Sequence, residues 1–213
     1  MPKSGSHLLI QILEGLTELG PFVNPGFPPV NRFEDNSKLP DEKVLAEIRA
    51  MRPGDIRYGY LHAEEPWRSA VTGSGRARKL ATLFVYRDPR DWVISQIFYA
   101  KDMHKGHMLH EYYQSLPTME ARIHAAIEGV KTTKVSAPSV VERYSHYLGW
   151  LEVPGLLCLR FEDLIENRRS KIEDILEYLA TFNFRPSIPK EQAIDALMEA
   201  ISPHKSGTFR KGQ

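Results

Sequence analysis

Residues 80–86, LATLFVY, form a nearly continuous apolar run that ends on Arg87-Asp88-Pro89. A strand with one wet face alternates apolar and polar residues, so an unbroken run belongs to a strand covered on both faces, as in a parallel sheet flanked by helices. A helix start follows at once. Asp88 stands where an N-cap carboxylate accepts free N–H groups, Pro89 occupies the first helical position with φ already set, and Asp91 lies in the first turn. Residues 155–161 repeat the pattern as a second buried strand ahead of a helical stretch from Arg169 to Ala180. This alternation predicts α/β architecture.

The remaining elements fit around that frame. Leu8, Leu9, Ile12, Leu13 and Leu16 recur at helical spacing over Ser6 to Leu19 and stop at Gly20-Pro21. Residues 39–51, 118–129, 138–151 and 189–201 also read as helices, and residues 55–61 alternate as a strand. Residues 22–38 hold Pro25, Pro28 and Pro29 and read as an irregular loop, while the polar, basic tail 202–213 should be mobile without a ligand. No repeat or linker divides the chain, and 213 residues suit one core, so a single domain over residues 1–213 is expected.

Charge narrows the function. Twenty-eight Lys and Arg against 27 Asp and Glu leave a net charge of +1, so no global field draws the chain to nucleic acid or an anionic membrane. Any anion site must be local. The single cysteine, Cys158, excludes an intramolecular disulfide and suits a cytoplasmic protein with an inert buried thiol. No apolar run approaches the roughly 18 residues of a membrane span, and the N-terminus lacks a signal-peptide pattern.

Three segments concentrate chemistry. In Pro2-Lys3-Ser4-Gly5-Ser6-His7, Gly5 permits a tight turn, the N–H groups of the next helix are free to face a phosphate, and Lys3 adds a charge. A helix N-cap by Ser4 or Ser6 explains this segment equally well, and the GxxxxGK[ST] pattern of ATPases and GTPases is absent. In Tyr86-Arg87-Asp88-Pro89-Arg90-Asp91-Trp92-Val93-Ile94-Ser95, Arg87 leaves the strand's carboxyl end and Ser95 stands two helical turns beyond the cap, so both can converge on one phosphate. In Phe209-Arg210-Lys211-Gly212, paired cations and a glycine can fold over an anion, although a solvated tail is the default.

In this order, PKSGSH, YRDPRDWVIS, FEDL and FRKG resemble the cytosolic-type sulfotransferase family, along with the helix IEDILEYLA. The resemblance spans essentially the whole chain. It implies a P-loop-like three-layer α/β fold, a central parallel sheet flanked by helices. The co-substrate would be 3'-phosphoadenosine 5'-phosphosulfate (PAPS), leaving PAP as product, and the acceptor a small-molecule or carrier-bound hydroxyl or amine. By match, Lys3, Ser4, Gly5, Ser6 and His7 would grip the 5'-phosphosulfate. Arg87 and Ser95 would hold the 3'-phosphate with Arg210, Lys211 and Gly212. Lys3 would stabilise leaving-group charge. The family's base is a histidine on a strand between the nucleotide motifs; His62 is the nearest, and imidazole titrates near neutrality, although alignment places Tyr60 at that position. A non-catalytic nucleotide-binding or scaffold member is the alternative.

The sequence departs from the family pattern at Leu8, where a tryptophan that stacks on adenine is usual. It also begins at Met1-Pro2 without the strand expected to lead into the phosphate loop and stops just after the RKG segment, so both ends read as clipped. His104, His107 and His110 sit three residues apart, a spacing that a helix spreads over a wide arc and that argues against a metal site, while Lys101, Met103, Lys105 and Met108 of the same stretch suit a mobile flap near the acceptor. Glu162 and Asp163, as neighbours on a strand, would point to opposite faces and share no acid/base role. Trp67, Trp92 and Trp150 read as core or pocket-wall residues.

Overall fold

The computed structural model describes residues 2–23, 29–33, 35, 37–72 and 80–201. Along them run α1 (Ser6–Leu19), α2 (Asp41–Ala50), α3 (Trp67–Thr72), β1 (Leu83–Tyr86), α4 (Pro89–Phe98), a π-helical turn (Tyr99–Met103), α5 (His110–Ser115) and α6 (Met119–Glu128). A small hairpin of β2 (Val130–Lys131) and β3 (Ser136–Ala137) follows, then α7 (Val140–Leu148), a 3-10 turn (Gly149–Glu152), β4 (Leu157–Arg160), α8 (Phe161–Glu166), α9 (Arg168–Ala180) and α10 (Lys190–Ala200).

The two unbroken apolar runs become β1 and β4, paired in parallel with Leu83 opposite Leu157 and Tyr86 opposite Arg160. Alternate β1 residues enter different cores, as a strand covered on both faces requires. Val85 joins Ile12, Leu16, Ile172, Ile175, Ile194 and Leu197 between the strands and α1, α9 and α10. Phe84 joins Val44, Ile48, Trp67 and Trp150 on the other side. The crossover from β1 to β4 contains α4 to α7 and encloses a third core around Trp92, Ile97, Tyr113 and Tyr144. All three tryptophans are buried. The helix expected over Ser6 to Leu19 forms over those residues, and Gly15 lets α1 approach α10, since a Cβ there would lie 2.8 Å from Leu197.

Two expectations are corrected. Residues 55–61 are extended but form no strand; they are tied to the preceding loop instead of to β1. Asp55 bridges Val23, the Val30 N–H donates to the Tyr58 carbonyl, and the Asn31 side chain bonds both backbone groups of Tyr60. Between this segment and β1 opens a cleft of about 1310 Å³ lined by Leu9, Leu13 and Leu16 of α1 and by Tyr58, Phe84 and Val85. The second correction concerns Glu162 and Asp163, which lie in the first turn of α8 because the strand ends at Arg160. Among the described residues no helix is long and apolar enough to cross a membrane.

Candidate active site

The loop before α1 takes its shape from two left-handed residues, Lys3 at φ 60° and Gly5 at φ 95°. Gly5 is needed for space as well as for φ: a Cβ would stand 2.4 Å from Cδ2 of Phe161, the first residue of α8. Hydrogen bonds fasten this loop to the β1–α4 junction. Trp92 Nε1 donates to the Pro2 carbonyl at 2.7 Å, and Arg87 Nη1 reaches the Lys3 carbonyl at 3.4 Å. The Lys3 ammonium rests 3.4 Å from the centroid of the Tyr99 ring.

Arg87 leaves β1 and lays its guanidinium 4.6 Å from the Phe161 ring, with Nε 3.9 Å from a Glu162 carboxylate oxygen. That Nε is buried and has no hydrogen-bond partner, and the same holds for Ser4 Oγ, on a residue only 1% exposed. Asp88 caps α4 by accepting from the Arg90 N–H, and its ties to Arg90 hold its carboxyl well below the usual range. The Tyr144 hydroxyl donates to the Arg87 carbonyl. The helix-start reading of this segment is therefore met, with Asp88 as cap and Pro89 in the first turn.

A cleft of about 480 Å³ brings Lys3, Gly5, Ser6, His7, Arg87 and Ser95 together. Ser4, buried between Lys3 and Gly5, is not among the lining residues. Arg210, Lys211 and Gly212 fall outside the described residues. Burial lowers the Lys3 ammonium from 10.5 to about 8, and burial together with Lys3 lowers His7. Tyr60 reaches the cleft, donating to Ser6 Oγ at 3.2 Å. His62 does not line it: its ring stacks on His146 at 4.7 Å and its Nδ1 lies 3.3 Å from Glu64. Leu8, at the position expected for an adenine-stacking tryptophan, is buried against the core and also lines the cleft, where Phe161 and Ile165 add apolar wall.

His104 and His107 also line the cleft, whereas His110 turns away and its Nδ1 meets the Ala100 carbonyl. Residues 104–109 are turns, not helix, so the angular argument about their spacing does not apply. Among the described residues no group of three or more His, Cys, Asp or Glu is placed to hold a metal ion. Sequence reasoning passed over Tyr99, Phe161 and Arg143, all cleft residues. The FEDL motif quoted in the resemblance was the only available signal, and it concerned Phe161 alone.

A family model described as "Sulfotransferase domain" matches residues 69–205. The chain belongs to the sulfotransferase domain family. That match takes in β1 with the start of α4, and β4 with α8; the loop at residues 3–7 lies upstream of it. Among solved structures, this sulfotransferase domain is similar to mouse sulfotransferase SULT7A1 in complex with PAP, at 19% identity and a TM-score of 0.57. The similarity covers 95% of this chain and 62% of that one, and it supports the P-loop-like α/β fold. None of the curated proteins matches the chain.

Proposed function

We propose that this sulfotransferase domain binds PAPS in the smaller cleft and transfers its sulfuryl group to a hydroxyl or amine of a small-molecule or carrier-bound acceptor. The observation that carries this reading is the pair of buried polar atoms without hydrogen-bond partners, Ser4 Oγ and Arg87 Nε, on the loop and the arginine that border a cleft also holding Lys3 and the N-terminus of α1. Burying a donor unpaired costs about 1–3 kcal/mol, and more for a charged group. A phosphate or phosphosulfate oxygen at each would relieve them. The residues therefore fit the two phosphate-bearing ends of the nucleotide.

PAPS supplies an activated sulfuryl group on a phosphate leaving group. Lys3 and the first N–H groups of α1, turned into place by Gly5, would face the charge that develops there. Arg87 and Ser95 would hold the 3'-phosphate, a bidentate fork beside a hydroxyl, joined by Arg210, Lys211 and Gly212. Phe161, already beneath the Arg87 guanidinium, offers a flat surface for a base. The acceptor's proton falls to Tyr60 in preference to His62, because Tyr60 is in the cleft and His62 is held outside it by Glu64 and His146.

Calorimetry with PAP and ADP tests the assignment, since ADP lacks the 3'-phosphate. Hydrogen bonds to charged groups contribute about 1.5–3 kcal/mol, so PAP should bind about 10- to 150-fold tighter than ADP, with that preference lost in Arg87→Ala. Equal affinities for the two nucleotides, or an unchanged preference in the variant, refute it.

A further inference from the structure

Arg143 is the charged group that the nucleotide reading leaves without a task. It stands in the second turn of α7, a helix whose start is fixed by a capping box between Ser139 and Glu142. Its guanidinium lies 4.7 Å from the centroid of the Trp92 ring, so one face is covered and its half-buried fork lines the same cleft as Lys3. Arg87 has Asp88, Asp91 and Glu162 around it. Arg143 has none of these: the titratable groups facing it are the phenols of Tyr113 and Tyr147 and the imidazole of His107. Among the described residues it makes no ion pair, and burial penalises its charge. A desolvated guanidinium without a carboxylate is a costly arrangement unless an anion completes it.

The surroundings place that anion on the acceptor's side. Arg143 and Arg32 both face the Tyr147 phenol, which Tyr60 also faces, so this end of the cleft adjoins the group assigned to the acceptor's proton. His107 strengthens the case. Its Nδ1 accepts the Leu109 N–H at 3.1 Å, which leaves the proton of the neutral ring on Nε2 as a donor. Arg143 and the imidazole donor of His107 thus line one wall, and among the described residues no acid faces Arg143.

We infer that the acceptor carries an acidic group, such as a carboxylate or sulfonate, which docks on the Arg143 fork beside His107 while the acceptor hydroxyl lies toward Tyr60. This rests on the proposed transfer reaction. Arg143 is then a specificity-determining residue: it selects acidic acceptors and takes no part in holding the nucleotide. A site built for a charged hydrogen bond rejects analogues that leave its donors unpaired.

The test uses three phenols of matched size, 4-hydroxyphenylacetate, 4-hydroxyphenylmethanesulfonate and neutral 4-hydroxyphenylethanol, titrated into the full chain with and without PAP. The acids should bind at least about tenfold tighter than the alcohol, the equivalent of one charge-assisted hydrogen bond. Arg143→Gln should abolish that preference while PAP affinity stays within about twofold. Arg143→Lys keeps the charge without the planar fork and should retain only part of the preference, which preserves the test if the glutamine variant does not fold. Equal binding of acid and alcohol by the wild-type chain overturns the inference. So does weaker PAP binding in a folded Arg143 variant, which would make Arg143 a nucleotide ligand. A folded chain that binds no PAP but still prefers the acids would sink the nucleotide reading and leave the anion subsite standing.

Discussion

Replacing Gly5 with alanine perturbs two things that the structure separates. The backbone at φ 95° lies in the left-handed region, where a side chain costs about 1–2 kcal/mol. The new methyl would also stand 2.4 Å from the Phe161 ring, an overlap that forces the ring or loop to shift, and overpacking of this kind costs about 1–3 kcal/mol. Together these predict a loss of about 2–5 kcal/mol, or a fall in Tm of about 5 to 15 °C for a chain of this size. Thermal melts of Gly5→Ala in the wild-type and Phe161→Ala backgrounds divide the effect. With alanine at 161 the clashing Cδ2 and the rest of the ring are gone and only the backbone cost of about 1–2 kcal/mol remains. PAP affinity should fall in the single variant and recover partly in the double. The same penalty in both backgrounds, or a Tm shift of less than about 1 °C, would refute the argument that Phe161 sets the space for the loop.

Lys3 predicts a pH dependence with a definite sign. Its folded value of about 8 lies below the ordinary 10.5, so the unfolded chain keeps this proton to higher pH. Stability of the unliganded protein should therefore rise between about pH 8 and 10.5, and Lys3→Met should remove that rise in urea titrations across the range. PAP affinity should run the opposite way, weakening above about pH 8 as the ammonium is lost, with no such step in the methionine variant. The placement of Tyr60 and His62 predicts unequal kinetics: Tyr60→Phe should slow sulfuryl transfer about a hundredfold or more, the usual loss for a proton-transfer group, whereas His62→Gln should leave the rate nearly unchanged. The reverse order in a single-turnover assay would return the role to His62.

The buried strands were readable because an unbroken apolar run is a local property, and so was α1, whose face repeats every three or four residues. Residues 55–61 were not. Alternation satisfies the side-chain half of a strand, but the backbone half depends on a partner edge, and here Asn31 and Val30 claim those backbone groups from outside. That difference also decides between Tyr60 and His62, since the loop hold on Tyr60 sets which residue enters the cleft. Lys3 and Arg87 were legible because each sits at an element boundary with a motif around it, and Ser95 because it stands two turns beyond the Asp88 cap in the same motif; the family resemblance joined them. Arg143 lies inside an ordinary amphipathic helix, where nothing in the spacing distinguishes a solvated arginine from one turned over Trp92. That no counter-charge faces it among the described residues is a fact about its surroundings in space.

The wide cleft beside β1 gives the strand two unlike edges. In the parallel ladder the Leu157 N–H donates to the Thr82 carbonyl, so by alternation the amides of Phe84 and Tyr86 turn toward β4 and those of Leu83 and Val85 toward the cleft. Neighbouring amides on one short strand should then exchange deuterium at very different rates, 84 and 86 slow, 83 and 85 fast. The nucleotide motif at Arg87 is thus mounted on a strand clamped along one side only, and whatever stiffens the open side will be felt at the guanidinium.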